Sequence, residues 1–171
     1  METKQTTPAV QGLVIALILI VFGLVIHFAG LSAVKSLGYI QYAILGAGLI
    51  WCCITYSKQN NGNVTFGNTF AHGFKVTAAV TGIFAVYTFF ALKFITPEIV
   101  DIALDQARAA MVEQKKLSES EINDAINMSR KFFMPFAIAA IIVMFLILGC
   151  IFSLIGAAAA KKNPNYNPLE Q

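Results

Sequence analysis

FFMPFAIAAIIVMFLILGCIFSLIGAAAA, Phe132 to Ala160, runs for 29 residues without an Asp, Glu, Lys or Arg. Any of those four at the middle of a membrane helix costs roughly 2.5–3.5 kcal/mol on insertion scales, so the run reads as a bilayer-crossing helix. At about 1.5 Å rise per residue it is ~44 Å long, beyond the ~30 Å of hydrocarbon in a bilayer. Part of it must therefore tilt or protrude. Lys161 and Lys162 stop the run, and NPNYNPLEQ behind them reads as a short disordered tail. Pro135 lies just inside the segment and predicts a kink rather than a break.

Three more stretches avoid charge in the same way: Gln5 to Val34, Ser36 to Ser57 and Val76 to Leu92. Together they predict four spans, at about residues 10–30, 37–56, 70–95 and 132–160. In the first, the core GLVIALILIVFGLVI (Gly12 to Ile26) is long for the apolar region of a cleaved leader. Its only preceding cation, Lys4, is offset by Glu2. A signal peptide remains the rival reading, because Gly30-Leu31-Ser32 offers the small residues a signal peptidase needs. The second span carries Tyr39 and Tyr42 near one end and Trp51 and Tyr56 near the other, the pattern of interfacial aromatic belts. The turn around Ser32 to Ser36 is short, so spans one and two are antiparallel neighbours.

Composition agrees. Apolar residues make up 57% of the 171 residues and charged residues 12%, about half the ~25% charge of a soluble domain. The mean hydropathy is +0.70. Four spans leave no room for a soluble domain of ordinary size, and residues 1–171 read as a single membrane domain. The net charge of +3 is too small and dispersed to point to nucleic acid.

Between spans two and three lies a polar loop, SKQNNGNVTFGNT, in which Asn60-Asn61-Gly62 is a turn signal. Phe66, Phe70 and Phe74 follow at four-residue spacing on one helix face, as an interfacial lead-in to span three. After that span, Thr96-Pro97-Glu98 restarts a helix: Thr at the N-cap, Pro at the first position, Glu at the positive end. Glu98, Asp101, Asp105, Arg108, Lys115 and Lys116 share one side of it. Ile99, Val100, Ala103, Leu104, Ala107, Ala110 and Met111 share the other. Ser118 and Glu121 then form a capping box for a second helix, with Ile122, Ala125, Ile126, Ser129 and Phe133 on one face. That helix runs into span four. The fold class is therefore all-α: an integral membrane four-helix bundle with an extramembrane helical hairpin, about residues 97–131, between spans three and four. Its two apolar faces are expected to pack on each other rather than lie on the bilayer.

Helices associate in lipid through small residues that let backbones approach. Ala43 and Ala47 on span two, Ala78 and Gly82 on span three, and Gly149, Ser153 and Ala157 on span four are the candidate helix-packing residues. Intramolecular packing is the first reading and a homodimer seam the alternative.

Chemistry is sparse. His27, near the end of span one, and Lys75, near the start of span three, are the candidate polar functional residues, since an intramembrane ionisable group is a functional suspect by default. The bland readings are an interfacial histidine and a snorkelling lysine. His72 lies at the opposite membrane side from His27, so the pair does not suit a shared metal. Cys52, Cys53 and Cys150 lack redox or zinc spacing. No P-loop, zinc-protease motif or nucleophile elbow is present. The expectation is therefore no enzyme, no cofactor and no metal. Both termini share one side with Lys4, Lys58, Lys75, Lys161 and Lys162. Lys35, Lys93, Arg108, Lys115, Lys116, Arg130 and Lys131 lie on the other. Raw counts favour that other side being cytoplasmic. However, Arg108, Lys115 and Lys116 sit in the extended hairpin among acids, and the dilysine after span four places both termini inside.

The order of polar loop, TFGNTFAHGFKV (Thr65 to Val76), aromatic-rich span, FITPEI (Phe94 to Ile99), charged helical insert and final span resembles the uncharacterised bacterial membrane family called domain of unknown function 4199. The stretch Phe66-Gly67-x-x-Phe70-x-x-Gly73 and the pair Pro97-Glu98 carry the resemblance, which covers most of the chain. It implies a bacterial inner membrane location and no known activity or catalytic residues. Two functions follow as expectations. One is a non-enzymatic membrane protein, structural or accessory, whose hairpin contacts a protein partner or a second copy. The alternative is a small transporter or channel subunit, for which His27, Gln41, Thr77, Thr81 and Thr88 are the available polar groups.

Overall fold

The computed structural model describes residues 6–31, 35–114, 117–164 and 166. Five α-helices follow one another: α1 (Pro8–Phe28), α2 (Lys35–Gln59), α3 (Phe66–Phe90), α4 (Glu98–Gln114) and α5 (Glu119–Ala159). No strand occurs among the described residues. A π-helical turn, Ala91–Ile95, continues α3. The helix α1, the α2 residues Ser36–Gln59, α3 with its π turn, and α5 are each long and apolar enough to cross a membrane. The second helix of the expected hairpin and the fourth span are one 41-residue helix that passes through Pro135 without a break.

Local chemistry sets the helix starts. Thr7 accepts a hydrogen bond from Val10 N–H at 3.4 Å, with Pro8 in the first turn. Thr65 accepts one from Asn68 N–H at 3.1 Å, so the phenylalanine-rich stretch from Phe66 belongs to α3 itself. At α5 the box closes in both directions: Glu121 N–H donates to Ser118 Oγ, and Ser118 N–H donates to Glu121 Oε2 at 2.8 Å. Thr96 departs from expectation. Its N–H donates to the Ala91 carbonyl at 2.8 Å and its hydroxyl reaches the same oxygen at 3.3 Å. The side chain therefore closes the π turn behind it instead of capping α4, because a wide turn leaves a carbonyl within its reach.

The chain divides into two compact units: unit 1, Met1–Phe84 with Val143–Gln171, and unit 2, Ala85–Ile142. In unit 1, Ile15, Ala16 and Leu19 of α1 are buried with Leu45, Leu49 and Cys53 of α2, Val76 and Val80 of α3, and Phe145 and Ala157 of α5. Phe84 and Phe145 stack at 4.9 Å between ring centres. Large apolar side chains also cover the outside: Leu17, Val21 and Val25 on α1, and Ile147, Ile151 and Leu154 on α5. A water-soluble monomer rarely exposes apolar rows of this extent. Close approach is set by small residues. A Cβ on Gly149 would fall onto the Thr77 side chain, so α3 and α5 touch there at backbone distance.

Unit 2 also exposes large apolar side chains, Val86, Phe90, Phe94 and Phe136 among them, and adds charge to them. Leu104 of α4 and Ile122 of α5 are 3% and 4% exposed. Around them the charges face outward: Arg130 pairs with Asp101 at 2.8 Å, and Arg108 donates to Asn123 at 2.6 Å. The second link lies seven residues further along α4 and seven earlier along α5, so the two segments run antiparallel. Ile102, Val112 and Met128 remain exposed.

Candidate functional site

Of the two polar residues singled out in the sequence, His27 is half-buried near the end of α1, its ring edge-on to Phe28 at 5.3 Å. Lys75 is exposed on α3. The histidine with the richer surroundings is His72. It is buried, with Nε2 at 2.7 Å from Gln11 Oε1, and its ring stacks on Tyr56 at 4.2 Å between centres. With the Gln11 oxygen accepting, Nε2 carries the hydrogen. Gln11 comes from α1, Tyr56 from α2 and His72 from α3, so this cluster ties three helices together. A buried histidine without a partner would be costly to desolvate, and the amide supplies that partner.

One turn deeper, Cys53 sits between α3 and α5. Its thiol lies 3.8 Å from the Thr69 carbonyl and 4.0 Å from that of Ser153. The hydroxyls of Thr69 and Thr77 donate to the carbonyls four residues back, Thr65 and Gly73, both at 3.0 Å. Two hydroxyls, on Thr81 and Ser153, are buried without a hydrogen-bond partner among the described residues. Of the candidate packing residues, Gly149, Ser153 and Ala157 lie inside unit 1. Ala43, Ala47, Ala78 and Gly82 lie exposed on its surface. On α2 the close approach falls at Gly46, where a Cβ would meet the Phe152 ring at 2.6 Å.

A second polar assembly closes the end of unit 1 where α2 and α5 finish. The Ser57 hydroxyl donates to the Lys161 carbonyl. Asn163 donates from its backbone to the Gly62 carbonyl at 2.9 Å and from its side chain to Asn63 Oδ1 at 3.0 Å. Gly62 has φ +76°, a conformation that costs glycine nothing and strains other residues. Gln59 reaches Thr6 at 2.8 Å, and the Lys162 ammonium lies 5.1 Å from the centre of the Phe66 ring. The tail expected to be free from Asn163 onward is thus fastened at that residue. Residues 165 and 167–171 lie outside the described residues. The clamp holds a cavity of about 400 Å³, lined by Ser57, Lys58, Asn61, Gly62, Lys161 and Lys162 among others.

In unit 2, Lys93 of the π turn lies 5.8 Å from the Phe89 ring centre and 5.5 Å from that of Phe94. The backbone N–H of Ser118, with its hydroxyl, holds the Glu121 carboxyl below the usual carboxylate range.

With Phe66, Gly67, Phe70 and Gly73 on the first turns of α3 and Pro97-Glu98 at the start of α4, the features that carried the sequence resemblance all have structural places. A family model described as "Protein of unknown function (DUF4199)" matches residues 11–162. The chain belongs to this family. Comparison with curated proteins and with solved structures finds no significant match. The DUF4199 match begins at Gln11, the partner of His72, and ends at Lys162, the cation over Phe66, so it takes in the His72 cluster and all of the second assembly except Thr6 and Asn163.

Neither assembly was legible as such in the sequence. His72 and Gln11 are 61 residues apart, and Ser57 and Lys161 are 104 apart. The available signals were weak: a lone Gln at the head of an apolar helix, and lysines at two helix ends.

Proposed function

We propose that this member of the DUF4199 family is a non-enzymatic integral membrane protein of the bacterial inner membrane, with both termini cytoplasmic. Its α4–α5 hairpin stands outside the bilayer and docks a protein partner. One observation carries the reading. Unit 2 surrounds two buried side chains, Leu104 and Ile122, with exposed charges and with exposed Ile102, Val112 and Met128. Large apolar side chains set among charges are the composition of a protein-binding surface. The buried hydroxyls of Thr69, Thr77 and Thr96 bond backbone carbonyls, a use that braces helices.

The test is affinity capture of the full chain from native membranes, compared with a variant lacking Glu98–Arg130. Partners identified by mass spectrometry should disappear from the variant while it still extracts with detergent. An unchanged set of partners would reject docking through the hairpin.

The second reading, a small transporter or channel subunit, draws on the partnerless buried hydroxyls of Thr81 and Ser153. Against it, Gly149 packs directly on Thr77, which brings α3 and α5 into close contact.

A further inference from the structure

We propose that the cavity at the end of α2 and α5 is an anion site in which Lys58, Lys161 and Lys162 hold a phosphate group, either the headgroup of an anionic phospholipid or free phosphate.

The charge distribution comes first. The described residues of unit 1 contain no Asp or Glu, while seven of the chain's nine acids lie between Glu98 and Asp124 in unit 2. The other two, Glu2 and Glu170, lie outside the described residues. No ion pair reaches Lys58, Lys161 or Lys162 among the described residues. Helix dipoles do not supply the missing negative charge. Two helices finish at this end, α2 and α5, and two begin, α1 and α3. Their end charges, about −0.5 and about +0.5 each, cancel in pairs. Three ammonium groups are left around one cavity.

The cavity is a built feature. The Ser57 hydroxyl fixes the Lys161 carbonyl, and Ser57 is 2% exposed. The Gly62 carbonyl fixes Asn163 at 2.9 Å. A Cβ on Gly62 would stand 3.0 Å from the Asn163 nitrogen, so the turn and the tail are fitted to one another. The Lys162 ammonium lies 5.1 Å from the centre of the Phe66 ring. A volume of about 400 Å³ falls within the range of small-molecule sites, roughly 300–1,000 Å³. Its location selects phosphate. Lys58 lies in the last turn of α2, and Lys161 and Lys162 follow closely on α5; with both helices read as spans, these positions fall at headgroup depth, where anionic lipid attracts each lysine by about 1 kcal/mol. Lysine binds phosphate as a mobile point charge.

The site rests on reading the unit 1 helices as spans and is independent of any hairpin partner. The test uses the full chain in a neutral detergent, mixed with equal phosphatidylglycerol and phosphatidylcholine, with retained lipid quantified by mass spectrometry. Phosphatidylglycerol should be enriched. The Lys58→Gln/Lys161→Gln/Lys162→Gln variant should lose that enrichment by about tenfold or more, while the corresponding triple Arg variant and Lys93→Gln/Lys131→Gln keep it. Single Lys162→Gln should lose part of it and covers the case in which the triple variant misfolds. Release of lipid by millimolar inorganic phosphate would support the site with free phosphate as its ligand. Retention under phosphate would support it with the lipid headgroup. Equal enrichment in wild type and both Gln variants, or no preference for phosphatidylglycerol, would overturn it. A protein that stays dispersed without detergent would instead sink the membrane reading itself.

Discussion

Unit 1 and unit 2 differ in where they carry negative charge: the described residues of unit 1 contain no Asp or Glu, while unit 2 holds seven. In unit 1 the interior holds Gly73, Gly149, Thr69, Thr77 and Cys53 together with Leu and Val, while bulky Leu, Ile and Val cover the outside. In unit 2 Leu104 and Ile122 are inside, and Asp101, Arg108 and Arg130 are outside. Apolar burial drives packing only where water is the alternative. In hydrocarbon, helices gain little from hiding one Leu against another, so close backbone contact and hydrogen bonds do the holding. On the proposed reading, with unit 1 in lipid and the hairpin in water, that is why unit 1 sets Gly149 against Thr77 and His72 against Gln11, and unit 2 frames buried Leu104 and Ile122 with charge.

The sharpest break of this contrast is an acid placed in each unit. Leu49→Asp, at a fully buried α2 position, should destabilise unit 1 by about 3 kcal/mol or more and abolish a monodisperse detergent-solubilised species. Ile102→Asp, at a position 53% exposed, should stay within about 0.5 kcal/mol. Equal effects from the two would mean the units do not differ in solvent. Next in size, Gly149→Leu should cost about 2–3 kcal/mol by overpacking against Thr77, read as a lower midpoint of unfolding by SDS. Leu104→Ala should cost about 2 kcal/mol locally, raising hydrogen exchange along α4 while α1 to α3 stay protected.

Smaller still is the capping box. Ser118→Ala should speed exchange at the first-turn amides of α5 only. Glu121 provides its pH signature. The folded carboxyl sits below its ordinary value, so its contribution is present above the unfolded carboxylate pKa. It is lost as pH falls through the lowered folded value. Exchange at the α5 start should therefore rise on acidification in the wild type and much less in Ser118→Ala. The smallest effect belongs to Asp101→Asn: its pair with Arg130 is more than half exposed on both sides, and surface pairs contribute about 0–1 kcal/mol.

The sequence reading reached different depths in the two units. The Ser118–Glu121 box was legible because a cap is local: both partners lie within one turn and need nothing else. Thr96 was misread for a related reason. Its neighbours Pro97 and Glu98 point forward to α4, but a π turn behind it offers a carbonyl that no local pattern announces. The small-residue stripes were ambiguous in principle. An Ala row suits a helix seam and a lipid face alike, so the pattern could not separate Gly149, Ser153 and Ala157, which lie inside, from Ala43, Ala47, Ala78 and Gly82, which lie outside. His27 and Lys75 stood out as ionisable groups in apolar segments; the partners of His72, Gln11 and Tyr56, come from other helices and left no mark in the sequence.

Hydropathy and charge placement, by themselves, determined that this chain is helical, that four segments are apolar enough to cross a membrane, and that a charged helical stretch interrupts the last two. Those properties follow from the insertion cost of each side chain and the periodicity of the backbone, which are local quantities. Tertiary structure alone decided that Gln11 meets His72, that Ser57 and Gly62 fasten the segment after α5, and that three lysines from two helix ends share one cavity. These depend on which helices become neighbours and in what rotation, and that is set by the sum of many close contacts between residues distant in the chain.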